Sequence, residues 1–291
     1  MIVPIDASVL SAHPLPRLPI DGDKEDRGAV LVVGGKTVMA GAALLAGVAA
    51  LRVGAGKLQI CANPDAAAAM AMAVPEAGIV LSSPSEASKA VRSAVRKASA
   101  LVMGPGMEAR PCQRRLARTL LEETGTAPAV IDAGALPDAT RAEAFSILAD
   151  GRTVLTPHAG EMATMLGRDK ETIKADPLKA AREAAALFRS VVVMKGSTTF
   201  IVSPDGLAWR HDGGVAGLGT SGSGDVLAGV IGGLLARGAP PVVAALWGVT
   251  LHAQAGATLA SGAPLGFLAR ELLDQLPFVL ARASEATEPD A

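Results

Sequence analysis

Short, unbroken apolar runs alternate with longer segments rich in alanine, leucine and arginine through most of this chain. The runs GAVLVVGG (28–35), KLQICA (57–62), ALVMGPG (100–106), PAVIDAGAL (128–136), TVLTPH (153–158) and VVVMKG (191–196) are nearly continuous in apolar residues, the pattern of strands buried on both faces. Between them, 41–53, 110–124, 139–149 and 177–190 read as helices. Strands separated by helices predict an α/β fold with a central, mostly parallel sheet and helices on both faces. The stretch TFIVSPDGLAWRH (199–211) breaks the pattern, because Asp205-Gly206 between two β-rich runs predicts a hairpin. After residue 224 the sequence reads as helix up to a tail, SEATEPDA (284–291), expected to be disordered.

The strand ends carry a second pattern. Gly34-Gly35, Gly104-Pro105-Gly106, Asp132, His158 and Lys195-Gly196 each stand where an apolar run stops. Ligands of open parallel sheets bind beyond the carboxyl ends of the strands, so these small and polar residues are expected to share one rim.

Composition narrows the class. With 291 residues, 50% hydrophobic and 19% charged, the chain can bury a large core. No linker or repeat divides it, which predicts one domain over 1–291 with an N-terminal segment of about twenty residues. A net charge of −1 argues against a nucleic-acid or anionic-membrane surface. The apolar stretches 38–53 and 226–236 are too short or too glycine-rich to cross a bilayer, and the start has no secretory pattern, so a soluble, cytoplasmic chain is expected. Cys61 and Cys112 fit no metal or redox spacing.

Candidate chemistry centres on GLGTSGSGDVLAG (217–229). Four glycines within eight residues let backbone amides of Gly222, Ser223, Gly224 and Asp225 approach an anion at the start of a helix. Asp225 could be a plain helix cap, or it could take a proton from a hydroxyl attacking a phosphoryl group held on those amides. The loop is neither a Walker A motif nor a dinucleotide fingerprint. In VVVMKGSTT, Lys195 and the following hydroxyls form either a turn into the hairpin or a cradle for nucleotide phosphates. In LTPHAGEM, His158 and Glu161 could be structural, with Glu161 complementing the helix dipole. Arg110, Arg114 and Arg118, with Arg115 beside them, read as a solvated helix face. His252 and Trp247 read as packing residues in an Ala/Gly-rich helix.

Taken in order, GAVLVVGG, the GAA at 41–43, RVGAGKLQI, MGPGM, VIDAGAL, LTPHAGEM, VVMKGSTTFIVSPDG, GTSGSGDVLAG and LHAQAGA resemble the ADP-dependent NAD(P)H-hydrate dehydratases, over about residues 28–275. The resemblance implies a ribokinase-like fold and a repair reaction. Reduced nicotinamide cofactors become hydrated at C6 of the ring. The enzyme phosphorylates the hydroxyl of the S epimer from ADP, releasing AMP, and expels phosphate to restore NAD(P)H. It further implies Asp225 as the base, and Lys195, Gly196, Ser197, Thr198, Thr199 and Gly224 on the nucleotide. Ala42, Gly106, His158 and Asp225 would face the hydrated cofactor. Magnesium on the phosphates, with Glu161 as a possible contact, a homotetramer and a separate epimerase in the same pathway complete the expectation. Two positions depart from the family pattern: Lys36 stands where a serine is usual, and Gly134 where an acid is usual. The rival expectation is a kinase of the same fold acting on a small vitamin-precursor alcohol, and TPHAGE argues against it.

Overall fold

Along β2 (Ala29–Val33), Val30 and Val32 enter one apolar cluster while Leu31 and Val33 enter a second on the opposite side. That division follows from the two-residue period of a strand, and it repeats across the sheet. The computed structural model describes residues 2–18, 21–35, 37–82 and 87–287. Lys36 and the tail beyond residue 287 lie outside the described residues.

The sheet is built from β1 (Val3–Pro4), β2, β3 (Lys57–Ala62), β4 (Ala77–Leu81), β5 (Ala100–Met103), β6 (Ala129–Ile131), β7 (Thr153–Leu155), β8 (Val191–Met194), β9 (Thr199–Val202) and β10 (Ala208–His211). Their spatial order is β1-β10-β9-β8-β7-β6-β5-β2-β3-β4. Every pairing is parallel except β8 with β9 and β9 with β10, so the hairpin forms where Asp205-Gly206 predicts it.

One face is covered by α2 (Ala40–Arg52), α3 (Pro64–Ala73), α10 (Ser223–Ala236), α11 (Pro241–Gly262) and α12 (Ala269–Glu285), with α1 (Ala7–Ala12) at its margin. The other carries α4 (Lys89–Val95), α5 (Pro111–Glu123), α6 (Ala142–Ala149), α7 (Ala159–Leu166), α8 (Lys170–Ala175) and α9 (Pro177–Phe188). α11 has the length and hydropathy of a membrane span, but 72% of its apolar window is buried, the position of a core helix.

Several boundaries differ from the sequence reading. The helix expected over 139–149 opens with a 3-10 turn, Ala139–Arg141, because Asp138 caps the Thr140 amide before α6 begins. Loops at 237–240 and 263–268 interrupt the helical C-terminal part. α12 runs to Glu285, and Thr287 Oγ1 donates to the Ala283 and Ser284 carbonyls, so the start of the SEATEPDA segment is ordered. The N-terminal segment adds β1 to the sheet edge and buries Val9 and Leu10 of α1.

The closest helix packing positions the candidate base. Gly229 and Gly233, one turn apart on α10, face α2, where an added Cβ would meet the Ala46 carbonyl oxygen at 2.1 Å and that of Ala50 at 2.6 Å. On α2, Ala43, Ala46, Ala49 and Ala50 are buried. The two helices therefore meet almost backbone to backbone, which fixes the height of the α10 N-terminus above the sheet.

Candidate active site

The chain runs outward from β2 through β3 and β4, then crosses to β5 on the other side of β2. This reversal opens a crevice at the carboxyl ends of β2 and β5, where doubly wound sheets place their ligands. The strand-end residues picked out in the sequence come together here. Gly35 N donates to the Pro105 carbonyl at 2.7 Å, and Asp132 N to that of Met103 at 2.8 Å. His158 and Lys195 form an isolated parallel bridge, with Lys195 N donating to the Pro157 carbonyl at 2.9 Å.

Side chains then link neighbouring strand ends. Asp132, 3% exposed in its side chain, accepts from Thr156 Oγ1 at 2.7 Å and from Lys195 Nζ at 3.0 Å. Lys195 Nζ also lies 3.7 Å from Glu161 Oε2. Burial works against charge on Lys195, but Asp132, Glu161 and Asp225 outweigh it and hold its pKa above the ordinary lysine value. A permanently cationic lysine at this rim suits phosphate.

His158 and Glu161 turn out to be a reciprocal cap of α7. His158 Nδ1 accepts from the Gly160 and Glu161 amides at 3.0 and 3.1 Å, and His158 N donates to Glu161 Oε2 at 2.8 Å. The structural reading is therefore correct for both, and it does not exhaust them. Because Nδ1 accepts, the neutral ring carries its proton on Nε2, on a side chain that is 58% exposed at the rim.

α10 begins immediately beside Lys195. Its cap, Gly222, has φ 92°, a left-handed conformation that glycine adopts without strain. Ser223 N donates to the Thr220 carbonyl at 3.3 Å, so this amide is engaged within the loop. The amides of Gly224 and Asp225, in the first turn, have no protein acceptor among the described residues. The Ser223 hydroxyl is also engaged: His252 Nε2 lies 3.0 Å from it and 3.0 Å from the Ser223 carbonyl. Burial pushes the His252 ring down to about 4, which keeps it neutral near pH 7. His252 thus packs in the core, as its helix suggests, and also braces the loop that carries the anion-binding amides.

The Asp225 carboxylate makes no hydrogen bond among the described residues. Its pKa is pushed up to about 6, first by burial and then by repulsion from Asp132 and Glu161, with Lys195 pulling the other way. A half-buried carboxylate with no hydrogen bonds and a raised pKa is poised to accept a proton.

Lys195, Gly196, Ser197, Thr199, His158, Ser223 and Gly224 line a cleft of about 690 Å³, closed on its far side by the 214–220 loop and by Val249 and His252 of α11. Thr198 differs, because its hydroxyl donates to Asp212 Oδ1 at 3.0 Å. Ala42 and Gly106 occupy the other half of the rim, where a Cβ on Gly106 would lie 3.0 Å from the Ala42 Cβ. Beside them Val38 and Met39 expose apolar side chains. The rim therefore has a nucleotide-sized cleft, lined by Ser223 and Gly224 but not by Asp225, and a partly apolar ledge beside Gly106. Gly134, where the family usually has an acid, admits no side chain here: a Cβ would lie 2.4 Å from the Glu108 carbonyl oxygen.

The chain is 45% identical over 286 residues to the ADP-dependent (S)-NAD(P)H-hydrate dehydratase of Xanthomonas campestris, covering 96% of each. The crystal structure of the ADP/ATP-dependent NAD(P)H-hydrate dehydratase of Bacillus subtilis, co-crystallised with ATP and Mg2+, matches with a TM-score of 0.82 at 28% identity, over 97% of this chain and 99% of that one. Hydroxyethylthiazole kinase from Pyrococcus horikoshii shares the fold alone, with a TM-score of 0.61 at 19% identity over 88% of this chain and 89% of that one. A family model described as NAD(P)H-hydrate dehydratase matches residues 30–278, and together with the Xanthomonas relative it places this ribokinase-like chain in the NAD(P)H-hydrate dehydratase family.

Proposed function

We propose that the protein dehydrates the S epimer of hydrated NADH or NADPH with ADP as phosphoryl donor, releasing AMP and phosphate. The observation that carries this reading is Asp225, a carboxylate without a hydrogen bond among the described residues, beside the open amides of Gly224 and Asp225 and the ammonium of Lys195.

ADP lies in the cleft on Lys195–Thr199 and Gly224, with its terminal phosphoryl group at the α10 N-terminus. The hydrated ring lies on the Ala42 and Gly106 side, with His158 Nε2–H available as a donor. Asp225 takes the C6 hydroxyl proton as that oxygen attacks the β-phosphorus, and the bond from the β-phosphorus to the bridging oxygen breaks to release AMP. The two amides and Lys195 stabilise the charge on the transferred group, and positioning with charge stabilisation is most of what phosphoryl transfer needs. The ring-nitrogen lone pair then expels phosphate, and loss of a proton from C5 restores the dihydronicotinamide.

Magnesium would neutralise phosphate charge during the transfer. No cluster of three or more His, Cys, Asp or Glu side chains among the described residues could hold a metal. Asp132 and Glu161 are engaged with Lys195, Thr156 and the α7 cap. Magnesium would be held by phosphate oxygens and water, with Glu161, 3.7 Å from Lys195 Nζ, as the carboxylate contact that the family likeness offers. A cytoplasmic homotetramer, supplied by a separate epimerase, rests on the family likeness.

Purified protein mixed with hydrated NADH, magnesium and ADP is expected to restore the dihydronicotinamide absorbance with one AMP and one phosphate per turnover, and to do so less well with ATP. Product that retains its phosphate, or no restoration by folded protein that binds ADP, would replace this reading with that of a small-alcohol kinase.

The pH profile gives an independent check. Asp225 must be ionised to accept the proton, so kcat/KM is expected to fall about tenfold per pH unit below about pH 6. Lys195 lowers the Asp225 pKa, so Lys195→Gln should move that limb to higher pH besides lowering the rate. A limb that stays in place in the variant would show that Asp225 is not the titrating group.

A further inference from the structure

The arginines of α5 read in sequence as a solvated stripe, yet three of them line a cavity. Arg114, Arg115 and Arg118, joined by Arg141, surround a space of about 210 Å³ between α5 and the segment leading into α6, with Phe145 and Pro137 among its apolar walls. None of the residues lining it lines the nucleotide cleft.

Charge in this cavity is unbalanced. Arg114 is anchored: its Nε donates to the Leu136 carbonyl at 3.2 Å and its Nη1 lies 3.3 Å from Asp138 Oδ2. Asp138 is the one acid lining the cavity among the described residues and is further occupied in capping Thr140. Arg118 Nε is buried without a hydrogen bond among the described residues and forms only a long ion pair with Glu122 Oε1 at 3.6 Å. Arg115 and Arg141 have no ion pair or side-chain hydrogen bond among the described residues, whereas other arginines of this face, such as Arg92, Arg96, Arg168 and Arg189, are paired. Two of the four guanidinium groups are ion-paired, Arg114 with Asp138 and Arg118 with Glu122, which leaves the exposed Arg115 and Arg141 as two unpaired cations at the cavity mouth. That excess favours a multivalent anion, and the planar forks match phosphate oxygens.

The size and lining restrict the occupant. The space is smaller than pockets that take drug-sized ligands or a whole nucleotide. The apolar wall suits a short carbon chain beside the charged group. The backbone that shapes the cavity is held independently of any ligand: Gly134 is pressed against the 107–108 backbone, and Arg114 clamps Leu136.

We propose that this cavity is a second anion site, binding small phosphomonoesters or inorganic phosphate apart from the nucleotide cleft. The inference does not rest on the reaction proposed above.

Arg115→Gln/Arg141→Gln removes two unpaired side chains and should leave fold and turnover intact. Calorimetric titration with glycerol 3-phosphate, and separately with inorganic phosphate, is expected to find saturable binding to the wild type. The double variant should weaken it at least tenfold. Lys195→Gln, and a charge-matched surface control, Lys170→Gln/Arg270→Gln, should retain it. Tighter binding of the monoester would identify the carbon chain as part of the ligand, and equal binding would identify phosphate itself. The proposal is overturned by no saturable binding to the wild type. It is equally overturned by binding that survives the double variant, or that is lost as fully in Lys195→Gln or in the surface control.

Discussion

Asp225→Asn is expected to lose roughly 10²–10⁴-fold in turnover while binding ADP as well as the wild type or better, because general-base assistance is worth about that much. The asparagine keeps the shape of the side chain and removes a negative charge from beside the phosphates. The same change should stabilise the fold. The folded-state pKa of Asp225, about 6, stands above its ordinary value of 3.8, so the native state binds this proton more tightly than the unfolded chain does. Above about pH 6 the ionised carboxylate therefore weighs against folding, and the penalty disappears as pH falls through about 4. With a discount for its partial exposure, the variant should gain on the order of 1–2 kcal/mol at neutral pH and little at pH 4. Thermal unfolding of both proteins across that range measures the difference. Full turnover in the variant would remove Asp225 from the base's role, and no gain in Tm at neutral pH would refute its raised pKa.

The second large effect is expected at a distance from the chemistry. Gly229→Val would place a branched side chain where a single Cβ already lies 2.1 Å from the Ala46 carbonyl oxygen. Neither backbone can yield without separating α10 from α2, so the cost should reach about 3 kcal/mol, the upper part of the usual range for overpacked cores. α10 carries Gly224 and Asp225 in its first turn, so the displacement also moves the base. Misplacement of a catalytic group by about 1 Å can cost 10²-fold in rate. Urea unfolding and steady-state kinetics should therefore fall together, whereas Ala257→Val, the same kind of side chain on an exposed helix position, should change neither much. Equal destabilisation by the two variants would refute the backbone-to-backbone contact.

The central strands were legible because parallel strands covered on both faces need unbroken apolar sequence, and β2, β5 and β8 have it, while β3 keeps it only in Ile60–Ala62. β4 escaped notice, since as an edge strand with partly exposed residues it carries only AGIVL. α3 was hidden by its run of alanine and methionine, which has little amphipathic contrast. At the site, the glycine clustering before Asp225 was visible because such local density has few other physical causes. The ion pair of Asp132 with Lys195 joins residues 63 apart, and the contact of Ser223 with His252 joins residues 29 apart. No local pattern encodes either, although both polar residues stood at recognisable element ends or in a recognisable helix. The arginine stripe is largely solvated, as it reads, with Arg110 and Arg115 exposed; what the sequence does not show is the opposite wall that Ala135–Phe145 supplies to Arg114, Arg115 and Arg118.

The seating of the N-terminal segment has an optical consequence. The chain has two tryptophans and no tyrosine. Both indoles meet one residue: Trp247 Nε1 donates to the His13 carbonyl at 2.8 Å, and the Trp209 ring stands edge-on to the His13 imidazole with centroids 5.8 Å apart. One indole sits on a core helix and the other on β10, so His13 pins the segment that follows α1 to two layers of the fold at once. The ultraviolet emission of this protein is thus a built-in gauge of whether its first fifteen or so residues are docked, readable without any label.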